Sequence, residues 1–238
     1  MLNLYVTSSH RKCGKTFIST GLAATMQSLG YNTSVYKPIQ TCGIEKNGFT
    51  QSPDLTYVKT VDPYINTVFT YLFSTEAEPL IAAEMENQQI ELEYIHNEYK
   101  KVLSTSECTI IDGDCSFLSP IAPNLCNIDL VQKLKLPILI VTKPDLDSVN
   151  NTLSTINSAS ERQIEIRGVV INNIMPDCNK TLLNSIPRII EEYTNTKVFG
   201  LVENLGKKIM PQDLITNVLN GIDIESVFNV KIEKLDFD

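Results

Sequence analysis

The chain has 238 residues, of which 42% are hydrophobic and 20% charged, enough apolar material for one large α/β domain and too much for a disordered chain. Its formal net charge is −8 and no run of Lys or Arg is dense enough for a nucleic-acid footprint, so neither nucleic acid nor an anionic membrane is an expected partner. Six cysteines lie without a CxxC pair and only two histidines accompany them, so free cytosolic thiols are expected rather than a structural zinc site.

Taken in order, the chain alternates short apolar runs with helix-length amphipathic stretches. Met1 to Thr7 shows neither a basic start nor a long apolar core, and no window is long enough to cross a bilayer, so a cytoplasmic location is expected. Leu2–Val6 reads as a buried strand. Lys15–Leu29 reads as a helix, with Phe17, Ile18, Leu22, Ala23, Met26 and Leu29 at helical spacing and Gly30 as its stop. Thr33–Tyr36 is a second strand, and the polar stretch Gly43–Asp54 reads as a loop. A helix over Ile90–Thr105 leads into a strand at Cys108–Ile111. Asp129–Leu134 is helical, Leu136–Val141 is a strongly apolar strand, and Leu146–Ser160 is helical again. Gly168–Ile171 and Val198–Leu201 are strands on either side of a helix at Lys180–Tyr193. The last residues carry a weak strand pattern at Val227–Ile232 and an acidic end. Near-continuous apolar strands alternating with helices predict a three-layer α/β domain over 1–238, its mostly parallel central sheet covered by helices on both faces.

One stretch carries chemistry. Thr7-Ser8-Ser9-His10-Arg11-Lys12-Cys13-Gly14-Lys15-Thr16 lies between the first strand and the first helix, and its Gly-Lys-Thr is the end of a Walker A phosphate loop. Backbone N–H groups at a helix start point at phosphate, and the helix dipole adds positive potential there. Gly14 lets the backbone approach, Lys15 reaches the outer phosphates and the Thr16 hydroxyl ligates Mg²⁺. Cys13, Gly14, Lys15, Thr16 and Phe17 are therefore the expected ATP contacts of the loop and first turn. Asp112 follows an apolar strand in the manner of a Walker B acid and is a second candidate metal ligand. Asp54, in Ser52-Pro53-Asp54, is a third, although alone it would be a turn residue.

Together with Tyr36-Lys37-Pro38-Ile39-Gln40-Thr41, Glu78-Pro79-Leu80-Ile81-Ala82, Asp112-Gly113 and Gly168-Val-Val-Ile-Asn172-Asn173, this order resembles dethiobiotin synthetase, a P-loop NTPase-like fold, from residue 2 to about 205. The resemblance implies MgATP-driven closure of the ureido ring from 7,8-diaminononanoate (diaminopelargonate) and CO₂ or bicarbonate. A carbamate forms, is phosphorylated to a mixed carbamic-phosphoric anhydride, and is closed by the second amine. It further implies that Lys15 and Lys37 neutralise developing charge and that Thr41 binds the carbamate side. Thr16, Asp54 and Asp112 would hold Mg²⁺ and Asn172 would meet the adenine edge. A homodimer with Asn150 facing the partner's substrate is implied as well.

Two segments depart from the family pattern. Where the family has Gly-Thr-Asp-Thr and often an acid, this chain has Ser8, Ser9, His10, Arg11 and Lys12, whose added positive charge opposes a cationic diamine. Where the family has Glu-Gly-Ala-Gly-Gly, this chain has Asp112-Gly113-Asp114-Cys115-Ser116. The alternatives are a divergent P-loop paralogue acting on another carboxylate, or one that binds nucleotide without catalysis. A glutamine-dependent amidotransferase would need a second domain, for which no residues remain. No thiol and neither His10 nor His96 is given a chemical role.

Overall fold

The computed structural model describes residues 2–206 and 209–231. The first half runs β1 (Leu2–Ser8), α1 (Lys15–Ser28), β2 (Thr33–Gln40), β3 (Ile44–Lys46), β4 (Phe49–Gln51), α2 (Pro53–Val61), β5 (Asn66–Leu72), α3 (Pro79–Met85) and α4 (Leu92–Leu103). It continues through β6 (Cys108–Asp112), β7 (Pro120–Ala122), β8 (Leu125–Cys126), α5 (Asn127–Leu134), β9 (Ile138–Thr142) and α6 (Ser148–Glu161). The chain closes with β10 (Ile166–Ile174), α7 (Lys180–Thr194), β11 (Val198–Glu203), α8 (Pro211–Gly221) and α9 (Ile224–Phe228).

Seven strands form one sheet in the order β11-β10-β9-β1-β6-β2-β5, every neighbouring pair parallel. Because side chains alternate across a strand, each central strand supplies both faces. Leu4 and Val6 of β1 join Ile18, Leu22 and Met26 of α1 and Leu214 and Val218 of α8 in one core. Tyr5 points to the other face, into a core with Ile95 of α4, Val131 of α5, Ile156 of α6 and Ile186 of α7. The sheet is therefore buried on both sides, as its apolar strands require.

The connections set where a ligand can lie. From β1 the chain crosses to β2 through α1, passing β6, whereas from β6 it returns through α5 to β9 on the other side of β1. The two crossings leave in opposite directions on opposite faces, which opens a crevice at the carboxyl ends of β1 and β6. Residue pairs Leu4↔Ile110 and Val6↔Asp112 keep those two ends level.

Several elements differ from the sequence expectation. The segment expected as a loop, Gly43–Asp54, holds the antiparallel β3–β4 hairpin and the start of α2. Its strands are short and exposed, so hydrophobic periodicity carried no sign of them. The strand expected at Val227–Ile232 is a correction. Ile224–Phe228 is helical, capped by the Asp223 side chain, which accepts from Ser226 N at 3.0 Å, and the acidic end from residue 232 lies outside the described residues. β5, α3 and α8 were not expected. β5 is an edge strand without a fully buried residue, and α3 and α8 both begin at a proline, which is favourable at a helix's first position.

α1 and α8 touch at Gly21, where an added Cβ would come 2.4 Å from Val218 Cγ2 and 3.3 Å from Leu214 Cδ1. The β-branched Val218 has little rotamer freedom on a helix to give way. Gly21→Ala is expected to lower the unfolding free energy by about 1–2 kcal/mol, overpacking outweighing the helix-propensity gain of ~1 kcal/mol. Urea denaturation measures this, and pairing the change with Val218→Ala should recover part of the loss. A stabilised Gly21→Ala would show that the helices separate freely.

Candidate active site

Lys37 is the pivot of the crevice. It lies on β2 and is only 1% exposed, yet its ammonium has three acceptors: Asp54 Oδ2 at 2.6 Å, Asp112 Oδ2 at 2.9 Å and the Gly113 carbonyl at 3.2 Å. Burial alone would depress its pKa. Asp112, Asp54 and Asp114 outweigh that burial and hold the ammonium above its ordinary range. Asp54 shows the converse balance: burial pushes its carboxyl up, but the attraction of Lys37 prevails and holds it below the usual value.

The local sequence explains how Lys37 arrives there. β2 pairs with β6 only as far as Tyr36↔Ile111, while its pairing with β5 continues through Ile39↔Tyr71 and Gln40↔Leu72. Pro38 thus falls where the ladder to β6 has ended, and it drops out of the register with β5 between Lys37↔Phe69 and Ile39↔Tyr71, as a residue without an N–H must. Asp54 arrives at the start of α2, whose first turn is capped by Ser52 accepting from Leu55 N at 3.1 Å. Ser52 in turn donates to Gln40 Oε1 at 2.8 Å, fastening that helix start to the end of β2.

Asp112 ends β6 and is 1% exposed, with both carboxylate oxygens bonded. Oδ2 accepts from the Thr16 hydroxyl at 3.0 Å as well as from Lys37, and Oδ1 accepts from Ser19 Oγ at 2.9 Å. Asp54 and Asp112 therefore converge on one ammonium, and Thr16 joins them through Asp112. Ser19 was not expected in the site, although its spacing of three residues from Thr16 on one helix face was the available signal.

The phosphate loop bends as its glycine demands. Gly14 has φ +84°, and a Cβ there would come 2.3 Å from the Asn172 amide nitrogen. Asn172, on β10, donates to the Cys13 carbonyl at 2.9 Å. Cys13 is buried, its thiol donating to the His10 carbonyl at 3.0 Å, and burial pushes that thiol's pKa up. Lys15 Nζ reaches over to the Cys115 carbonyl at 2.6 Å and Ser8 Oγ at 3.1 Å. Burial, and then the nearby Lys37 charge, depress its pKa.

Two cavities flank the loop. One, of about 600 Å³, is lined by Arg11, Lys15, Thr41, Asp54, Glu76 and Asp114 among others. Thr41 donates to Asp114 Oδ2 at 3.1 Å there, and Arg11 is 3.5 Å from Glu78 Oε1. Of the positive charge that the sequence places in the loop, that of Arg11 is thus met by Glu78. The other cavity, of about 250 Å³, is lined by Gly14, Phe17, Asn172, Asn173, Asn204 and Ile209 among others. Glu203 and Asn204 gave no sequence signal, because they belong to the site only through the pairing of β10 with β11, which brings them beside the Asn172-Asn173 strand end. Asn150 is exposed on α6, its amide bonded to Asn151, and it is not part of either cavity wall.

A site for Mg²⁺ needs hard oxygen donors, and Thr16, Asp54 and Asp112 supply a hydroxyl and two carboxylates. Among the described residues no group of three or more His, Cys, Asp or Glu could cage a metal alone. Two carboxylates completed by phosphate oxygens is the ordinary way this ion is held, so the donor set fits.

Known proteins resemble the chain over most of its length. A family model described as "AAA domain" matches residues 2–212. The chain is 26% identical over 231 residues to an ATP-dependent dethiobiotin synthetase of Bacillus licheniformis, covering 96% of this chain and 97% of that protein. It is 28% identical to an ATP-dependent dethiobiotin synthetase of Endomicrobium trichonymphae, covering 84% and 92%. Among solved structures, an ATP complex of McdA from Cyanothece superposes with a TM-score of 0.59 at 13% identity, covering 97% of each chain. At that identity the likeness concerns the fold.

The Lys37 pairs make a pH prediction. Asp54, held low by Lys37, contributes stability that is present above the unfolded carboxylate pKa and lost as pH falls through its folded value. Lys37→Met would leave two carboxylates facing each other and is expected to cost about 3–5 kcal/mol at pH 7. Protonating a carboxylate relieves that repulsion, so the gap between variant and parent should narrow as pH falls from about 7 to 4. Urea titrations at both pH values read it. A gap that widens in acid would refute this electrostatic account.

Proposed function

The chain belongs to the AAA domain family, and from that premise we propose that it is an ATP-dependent dethiobiotin synthetase working as a homodimer. The observation that carries the reading is the cluster of Lys37 with Asp54 and Asp112, and of Thr16 on Asp112, beside a phosphate loop and a cavity lined by Asp54, Thr41 and Asp114. Support comes also from the two relatives, which align with 96% and 84% of the chain.

In this reading one amine of 7,8-diaminononanoate takes up CO₂ as a carbamate. A carbamate oxygen attacks the γ-phosphorus, the bond from that phosphorus to the bridging oxygen breaks, and ADP leaves. The second amine then attacks the carbamoyl carbon and expels phosphate as the ureido ring closes. Lys15 exchanges the Cys115 carbonyl and Ser8 hydroxyl for phosphate oxygens. Lys37, kept charged by its carboxylates, neutralises charge on the oxygens in transit. Thr41 directs its hydroxyl to the carbamate, while Asp114 and Glu76 offset the charge that Arg11 and Lys12 bring near a cationic diamine. Thr16, Asp54 and Asp112 would hold Mg²⁺, which when bound neutralises phosphate charge. Phe17 and Asn172 border the smaller cavity, which would take the base. Asn150 would reach the partner's substrate across the dimer.

Asp114 and Cys115, which replace the family's small residues beside this cavity, favour one second reading: a paralogue using the same ATP chemistry on another carboxylate. ADP release with MgATP and bicarbonate, with and without 7,8-diaminononanoate, separates the two. The expected result is diamine-dependent release, with Lys15→Met lowering kcat by ~10²–10³. ATP binding by calorimetry without diamine-dependent release would exclude the synthetase and leave the paralogue.

A further inference from the structure

The phosphate loop carries a second set of contacts that the proposed reaction does not use. Ser9 Oγ lies 2.9 Å from His10 Nδ1 and donates to Thr142 Oγ1 at 2.9 Å. His10 Nε2 lies 3.2 Å from Asp145 Oδ2, in the turn between β9 and α6. Ser9 N donates to the Val141 carbonyl at 3.0 Å, and the Cys13 thiol donates back to the His10 carbonyl. Each ring nitrogen of His10 therefore has a partner, and the pairs join two segments about 130 residues apart in sequence.

The loop's own backbone explains why such a fastening is needed. Lys12 has φ +60° and Gly14 φ +84°, so two of the three residues before Lys15 are left-handed. For a non-glycine residue that conformation is costly and persists only where the surroundings enforce it. Where glycines would otherwise let the strand-to-loop transition turn, this chain has Ser8 and Ser9. The turn supplying the fastening is charged on both sides, because Lys143 Nζ also reaches Asp145 Oδ2, at 3.1 Å.

We propose that Ser9, His10 and Asp145 form a clasp that holds the phosphate loop onto the β9–α6 turn in its phosphate-receiving shape. His10 and Asp145 act here as positioning residues, through the backbone amides of residues 11–14 rather than by touching phosphate. The inference rests on the phosphate-loop reading of residues 8–16, although the clasp itself is present without a ligand. Lys143 keeps Asp145 partnered when His10 is changed, so His10→Gln does not strand a charge.

A double-mutant cycle tests it with two readouts. In the free protein, hydrogen exchange of the peptide spanning residues 8–16 is expected to speed up in His10→Gln and in Asp145→Asn. The double variant should be no faster than either single one, because the two share one interaction. MgATP affinity by calorimetry is expected to fall about 3–10-fold in each single variant, without a further loss in the double and without a matching fall in Tm. Asp145→Glu, which keeps the carboxylate, should restore much of that affinity. Unchanged exchange in the loop, or independent additive losses, would overturn the clasp. If the parent protein binds no nucleotide, the phosphate-loop reading falls, and the exchange data alone still decide for or against the clasp.

Discussion

The architecture at the carboxyl edge of the sheet is organised by one buried cation. Lys37 is shielded from water within the sheet's end, and an ammonium in that position is tolerated only with partners close by. Those partners come from three places: Asp54 from the start of α2, Asp112 from the end of β6, and the Gly113 carbonyl just beyond it. Asp112 passes the constraint on, since its two oxygens also accept from Thr16 and Ser19 of α1. Four elements thus meet through hydrogen bonds on one side chain and its principal carboxylate. Removing Lys37 leaves two carboxylates without their counter-charge, so the residues depend on one another more than their number implies.

A chain with formal net charge −8 accommodates this site because charge is balanced locally. Lys15 and Lys37 are near enough for the second to depress the ionisation of the first. Arg11 faces Glu78, and the cavity wall adds Glu76 and Asp114. The outcome is a near-neutral cleft with opposite charges in fixed places, an arrangement that distinguishes positions within a ligand more than it attracts any one sign of charge. The same logic applies at the other end of the loop, where Lys143, Asp145 and His10 share one carboxylate oxygen.

Much of the scaffold was legible in the chain itself. The apolar runs at Leu2–Val6, Cys108–Ile111 and Leu136–Val141 became the three central strands β1, β6 and β9, because strands buried on both faces must be apolar at nearly every position. The edge was harder to read. β5 keeps only partial burial, so its pattern is weak, and the helix at Ile224–Phe228 replaced an expected strand because five residues are too few for a helical period to stand out. Within the site, Lys15, Thr16 and Asp112 were visible from a strand–loop–helix pattern and a strand-ending acid. Asp54 was a weaker candidate beside them, because an acid after a proline is by itself a turn residue, and Lys37, Thr41 and Asn172 drew their expected roles from resemblance, since a lysine before proline is ambiguous by itself.

The amino-acid sequence by itself determined the class of fold and the position of the phosphate loop, because periodicity, a helix start and a Gly-Lys-Thr tripeptide are local properties. Only the tertiary structure decided that Lys37 lies between Asp54 and Asp112, that Arg11 is answered by Glu78, and that His10 fastens to Asp145. Those contacts join residues far apart along the chain, and their geometry follows from the order in which the strands pair. Charges of opposite sign are common in any sequence. Which of them come within hydrogen-bonding distance, away from water, is set by the parallel sheet and the two crossings that leave it in opposite directions.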